Sequence, residues 1–329
     1  MRRFSSRPGG RLAACGLLAA IFGTAIGPAS DAAAASPVID DARLAGQFVS
    51  GLGRIVDAAA EVGGPSTLDA DAAAEGLKAA EGRRIRLPAE ATPCGLEPDR
   101  SLYDAVVPAV VVVGSIYKCG KCNDWHLGGM ASGWLLSADG LVVTNHHVLG
   151  REPGHRFGVM TAAGDVFPVT DILAADAAGD AAILRIGSGG RELPFLTLGS
   201  SPECGAEVTV ISHPVGRFYC LTEGVVSRYH RQRPGSATGP GAIEGQPPGP
   251  QAAAGDGPAA VWMSITADYA VGSSGGPVFN RAGEVVGMVS RTFSSRPGRR
   301  PRGGPASEQM VFKDCVSLDT LQRLFDTAP

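Results

Sequence analysis

The chain has 329 residues, 44% of them hydrophobic and 19% charged, with a formal net charge of −3. That length suffices for one large or two modest domains with real cores. The near-neutral balance gives no electrostatic footprint for nucleic acid, and none is expected as a partner.

Arg2, Arg3, Arg7 and Arg11 precede the apolar run LAACGLLAAIFGTAIG, and the small-residue stretch PASDAAAAS follows. Basic, then apolar, then small is the layout of a secretory signal peptide, read here as residues 1–35 with cleavage after Ala35. The run of 16 residues is short for a membrane span. Contact with a membrane is therefore expected only through the transient leader, and the mature chain is expected to be secreted or periplasmic. Removing the leader leaves Cys94, Cys119, Cys122, Cys204, Cys220 and Cys315. An even number in an exported chain favours disulfides, with Cys119–Cys122 a candidate short loop. His126 follows that CGKC, as a zinc set would require, but no fourth ligand is evident, so the reading is disulfide and no metal.

Residues 36–100 form an Ala-rich helical region and linker, in which Leu44, Phe48, Leu52 and Ile55 recur at helical spacing. GGPST breaks the pattern, and Ser66 with Asp69 is placed to cap a second helix. RRIRL (83–87) reads as an exposed basic linker. From Ser101 the texture changes to short β-rich runs such as VVPAVVVVGSIY, GLVVTN, AAILRI and GEVVGMVS, separated by turn residues. The pattern is that of an all-β barrel or sandwich. SLDTLQRLFD closes the chain as a helix with Leu318, Leu321, Leu324 and Phe325 on one face. Two Pro/Gly-rich stretches, 231–258 and 294–307, lack any core pattern and read as flexible loops.

Three segments supply, in order, what a serine hydrolase needs: a base, a group that orients it, and a nucleophile. VVTNHHVL carries a histidine pair at a strand end, AADAAGDAAILRI places Asp180 before an apolar strand, and VGSSGGPV supplies Ser274. Alone, each has a bland alternative: a packed histidine, a turn aspartate, a tight glycine turn.

Together they resemble the trypsin-like serine proteases of the chymotrypsin clan, in particular the HtrA (Deg) branch. Thr144, Asn145, His147 and Val148 match its TN-x-H-V pattern, which makes His147 rather than His146 the base. Asp180, Ala182, Ile183 and Leu184 match D-x-A-L-L. Gly272 to Pro277 match G-N-S-G-G-P, with Ser273 in place of Asn. The resemblance covers residues 101–329 and implies a chymotrypsin-like double β-barrel with a C-terminal helix, preceded by the short helical region. It implies an exported endopeptidase acting on protein or peptide substrates without a cofactor, through His147, Asp180 and Ser274. The alternatives are an esterase using the same residues and a protease-like binding protein.

The N–H groups of Gly272 and Ser274 are the implied oxyanion hole. Ser290 is implied to support Asp180 or to pair with substrate. Asp268, six residues before Ser274, stands at the trypsin specificity offset, yet small aliphatic substrate residues are expected. Ser273 carries no charge to pair with a new N-terminus, so trypsin-style zymogen cleavage is not expected. Only 39 residues follow Ser290, too few for a PDZ domain. The oligomeric state stays open.

Overall fold

The computed structural model describes residues 38–62, 67–87, 100–232, 259–295 and 310–326. The leader, Ser66, Cys94 and most of both Pro/Gly-rich stretches lie outside the described residues.

The four-residue recurrence of apolar side chains forms α1 (Asp41–Val62), which buries Leu44, Phe48 and Leu52. Asp69 caps α2 (Ala70–Ala80): its Oδ1 accepts the Ala72 N–H at 2.8 Å, satisfying one free donor of the first turn. Both helices share one hydrophobic core with the strands that follow. RRIRL is not a free linker: the Ile85 N–H donates to the Leu324 carbonyl and the Ile85 carbonyl accepts from Asp326, both at 2.9 Å.

After the short helix α3 (Leu102–Val106) come, among the described residues, twelve strands. They are β1 (Val110–Lys118), β2 (Trp125–Leu135), β3 (Leu141–Thr144), β4 (Arg156–Met160), β5 (Val166–Asp176), β6 (Ala181–Ile186), β7 (Glu207–Ser212), β8 (Cys220–Gln232), β9 (Ala260–Ile265), β10 (Pro277–Phe279), β11 (Val285–Ser295) and β12 (Met310–Ser317). They close into two antiparallel barrels, β1-β2-β3-β6-β5-β4 and β10-β11-β12-β9-β8-β7. Closure pairs the end strands of each sheet, β1 with β4 and β10 with β7. The fold is the chymotrypsin-like double barrel. Helix α4 (Leu318–Leu321) and a following 3₁₀ turn bury Leu318, Leu321 and Leu324.

The strands of the first barrel are rich in β-branched and Leu side chains, among them Val111, Val113, Val143, Ile183 and Leu184, all fully buried. The helices lie against it closely enough that a Cβ at Gly51 would come 2.8 Å from the Val166 side chain. The second barrel has its own smaller apolar cluster around Val210, Met263, Val278 and Cys315. No helix among the described residues is long and apolar enough to cross a membrane.

Candidate active site

The three chemistry-bearing side chains stand on connections between strands. Asn145, after β3, starts the 3₁₀ turn His146–Leu149 that carries His147. Asp180 precedes β6 in a tight turn, in which the Gly179 N–H donates to Asp176 Oδ1 at 2.7 Å. Its φ is +52°, a left-handed conformation that Asp tolerates better than most residues. The strained turn is held from outside, because Asn145 Nδ2 donates to the Asp180 carbonyl at 2.8 Å.

The result is a close carboxylate–imidazole pair. His147 Nδ1 lies 3.0 and 2.9 Å from the two Asp180 oxygens, and the His147 backbone N–H donates to Asp180 Oδ1 at 3.1 Å. With a carboxylate on Nδ1, the neutral ring carries its proton there and leaves the Nε2 lone pair free to accept. His146 is different: burial outweighs the pull of the nearby Asp180 carboxylate and pushes its pKa down.

Ser274 comes from the other barrel, on the loop between β9 and β10. Gly272 (φ +96°) and Gly275 (φ +87°) supply left-handed turns around it. A Cβ at Gly272 would lie 2.5 Å from the His213 carbonyl, and one at Gly275 would press into the Ser132 carbonyl and the Thr144 hydroxyl. Among the described residues the N–H groups of Gly272 and Ser274 have no protein acceptor, whereas those of Ser273, Gly275 and Gly276 donate to Ala270, Val289 and Ser273. Planar trans peptides turn these two free N–H groups away from the Val271 and Ser273 carbonyls, which are bonded to Val215 and Gly276.

Ser290 links the two halves. Its Oγ donates to Asp180 Oδ2 at 2.6 Å, and its carbonyl accepts the Ser274 hydroxyl at 3.2 Å. Among the described residues the Ser274 hydroxyl bonds to Ser290 rather than to His147. Such looseness is common in sites without substrate. Ser273 is buried; the Ser212 hydroxyl donates to its Oγ at 2.9 Å, fastening the loop to β7.

One residue of this seam was not singled out from the sequence. Ser132, buried in β2, accepts the His213 N–H at 3.0 Å and donates its hydroxyl to the Gly272 carbonyl at 2.9 Å. Its own N–H donates to the Ser274 carbonyl at 2.8 Å. A first-barrel side chain thus fixes the second barrel's glycine loop, and only the chain's return across the seam reveals it. His213 is fully enclosed beside it. Its Nδ1 accepts the Tyr219 N–H at 3.1 Å, and Nε2 faces the Val111 carbonyl without reaching hydrogen-bond geometry. Burial pushes its pKa down to about 4.

Asp268 is not in a closed pocket. Its side chain is 85% exposed and lies 2.5 Å from Lys313 Nζ. The five described cysteines are thiols, and the expected Cys119–Cys122 bridge is not formed, the sulfurs lying 3.5 Å apart. His126, which follows CGKC in the sequence, stands beside them, 3.0 Å from Cys122 Sγ.

Residues 131–288, which include His147, Asp180 and Ser274, match the family model of the trypsin-like peptidase domain. Over these residues the chain is similar to trypsin-like peptidase domains. A probable periplasmic serine endoprotease, DegP-like, from Pseudomonas fluorescens is 30% identical over 172 residues, which is 51% of this chain and 30% of that protein. Its counterpart from Hahella chejuensis is 29% identical over 208 residues, 60% of this chain and 35% of that protein. The aligned region thus spans about a third of these relatives' length. The crystal structure of Deg5 aligns with a TM-score of 0.46 at 24% identity, covering 68% of this chain and 89% of that one.

Proposed function

We propose that this peptidase domain is an exported serine endopeptidase in which Ser274 is the nucleophile, His147 the general base and Asp180 the group that orients it. The observation that carries the reading is the pairing of His147 Nδ1 with both Asp180 oxygens at 2.9–3.0 Å, with Ser290 joining that carboxylate to Ser274.

In this mechanism a substrate carbonyl enters beside Ser274, and the hydroxyl rotates from the Ser290 carbonyl toward His147 Nε2. Nε2 takes the hydroxyl proton as Oγ bonds to the carbonyl carbon. The oxygen that becomes negative is met by the N–H groups of Gly272 and Ser274, each worth about 3 kcal/mol in the transition state. His147, now cationic beside Asp180, gives the proton to the leaving amine as the C–N bond breaks. Water then repeats the sequence on the acyl-enzyme, releasing the acid and restoring Ser274.

Small or medium aliphatic substrate residues fit the specificity site better than cationic ones. The Asp268 carboxylate already has Lys313 as its partner, so it is not an unpaired charge waiting for Arg or Lys. Export rests on the leader pattern of residues 1–35, and the relatives named periplasmic are in keeping with it. Peptide-library profiling tests the activity and specificity together. The expected result is cleavage after aliphatic residues. Turnover of esters without peptides would point to an esterase, and a dominant Arg/Lys preference abolished by Asp268→Ala would overturn the specificity.

A further inference from the structure

We propose that Cys119, Cys122 and His126 bind one zinc ion at the tip of the β1–β2 hairpin. Cys119 follows β1, and His126 is the second residue of β2. The antiparallel pairs Tyr117↔His126 and Lys118↔Trp125 carry the imidazole back beside the turn that holds both thiols. Cys122 Sγ lies 3.5 Å from Cys119 Sγ and 3.0 Å from His126 Nε2, and the three ligand atoms fall within 4.8 Å of one another.

These distances suit a metal better than a disulfide. Tetrahedral zinc, with bonds of about 2.3 Å to sulfur and about 2.05 Å to nitrogen, sets S···S near ~3.8 Å and S···N near ~3.6 Å. Reaching that geometry from Cys122 takes shifts of about half an ångström on each edge. A disulfide, at about 2.05 Å, requires the sulfurs to close by about 1.5 Å.

The His126 ring leans on Tyr117, with centroids 5.7 Å apart. Cys122 is exposed and the other two are half-buried, so the ion enters from solvent and water completes the fourth position. Binding releases the two thiol protons to solvent and needs no oxidant or reductant.

The site's role is to fasten the hairpin tip. Its base is already held by α1, where Trp125 Nε1 donates to Asp57 at 3.1 Å and Lys118 Nζ lies 3.7 Å from the same carboxylate. His126 and Trp125 line a groove of about 580 Å³ against α1. Zinc at the tip stabilises the folded hairpin because the unfolded chain does not hold its ligands together.

The test uses the full chain purified without chelator and given one equivalent of zinc chloride. Native mass spectrometry should find one zinc per chain. Cys119 and Cys122 should alkylate at least ~10-fold more slowly than after EDTA, while exposed Cys204, outside the cluster, reacts equally in both. His126→Ala, checked for fold by circular dichroism, should weaken zinc binding at least ~10-fold. Equal alkylation with and without zinc, unchanged affinity in His126→Ala, or a Cys119–Cys122 disulfide in a chain that takes no zinc would each overturn the proposal. None of these readouts depends on the proposed peptidase activity.

Discussion

The two barrels share a topology and differ in what fills them. The first is packed by fully buried aliphatic side chains and braced by α1 and α2, and it presents His147 and Asp180 on short turns. The second encloses charge. Asp314 accepts the Ser264 hydroxyl at 2.7 Å, lies 3.4 Å from His230 Nε2 and reaches Arg291 Nε at 4.0 Å, with the Arg291 guanidinium over the Trp262 ring. It is this barrel that carries Ser274 on a glycine loop. The comparison teaches a division of labour. The apolar half presents His147 and Asp180 from a packed aliphatic core, and the polar half carries Ser274 beside buried interactions that acid weakens.

The largest effect expected is on chemistry in the first barrel. His147→Ala should lower kcat/KM by roughly 10⁵-fold with little change in KM, as removal of the base does in other serine hydrolases. A loss of only a few-fold would mean that the carboxylate–imidazole pair is not used.

Matched core substitutions sharpen the contrast. Leu184→Ala, in the first barrel, should destabilise by about 3 kcal/mol, equally at pH 7 and pH 5. Asp314→Ala should cost a similar ~3 kcal/mol at pH 7, because it leaves Arg291 and His230 without their carboxylate. Burial acts to raise the Asp314 pKa, but its bonds to His230 and Ser264 and the nearby cations outweigh this and hold it below the ordinary 3.8. A depressed carboxylate stabilises fully above its unfolded pKa and loses that contribution as pH falls through the folded value. The Asp314→Ala deficit should therefore shrink below about pH 4. Urea denaturation across pH checks both variants.

The seam should respond to acid first. His213 is neutral when buried, with a pKa of about 4 against an ordinary value of 6.5. Between these values the unfolded chain binds the extra proton, so stability falls as pH drops from about 6.5 to 4. The full loss is on the order of 3 kcal/mol. His213→Asn should flatten that part of the profile. An unchanged acid slope in the variant would contradict the assignment.

The smallest predicted effect comes from Ser132. Ser132→Ala removes the hydroxyl that holds the Gly272 carbonyl and should destabilise by about 1–3 kcal/mol. Its signature is a fall in kcat with KM nearly unchanged, because the loop rather than substrate binding is disturbed.

Much of this was legible in the sequence for a physical reason. Strand runs, glycine turns and the order of His147, Asp180 and Ser274 are local patterns, and local patterns survive without coordinates. The helices of residues 36–100 were readable from Leu44, Phe48 and Leu52, yet their packing into the first barrel was not, since periodicity names a buried face and not its partner. Ser132 and His213 were silent because their roles arise where the two barrels meet. The Cys119–Cys122–His126 cluster sits between these cases. Its spacing was visible, but the register that carries His126 back beside both thiols exists only once β1 and β2 pair.

The central claim is that Ser274 is an activated nucleophile, and covalent labelling with a fluorophosphonate probe tests it most directly. The folded protein should label at a single site, identified as Ser274 by mass spectrometry. Ser274→Ala should abolish labelling, and His147→Ala should slow it severely. Well-folded protein that takes no label, or that labels equally after Ser274→Ala, would contradict the account.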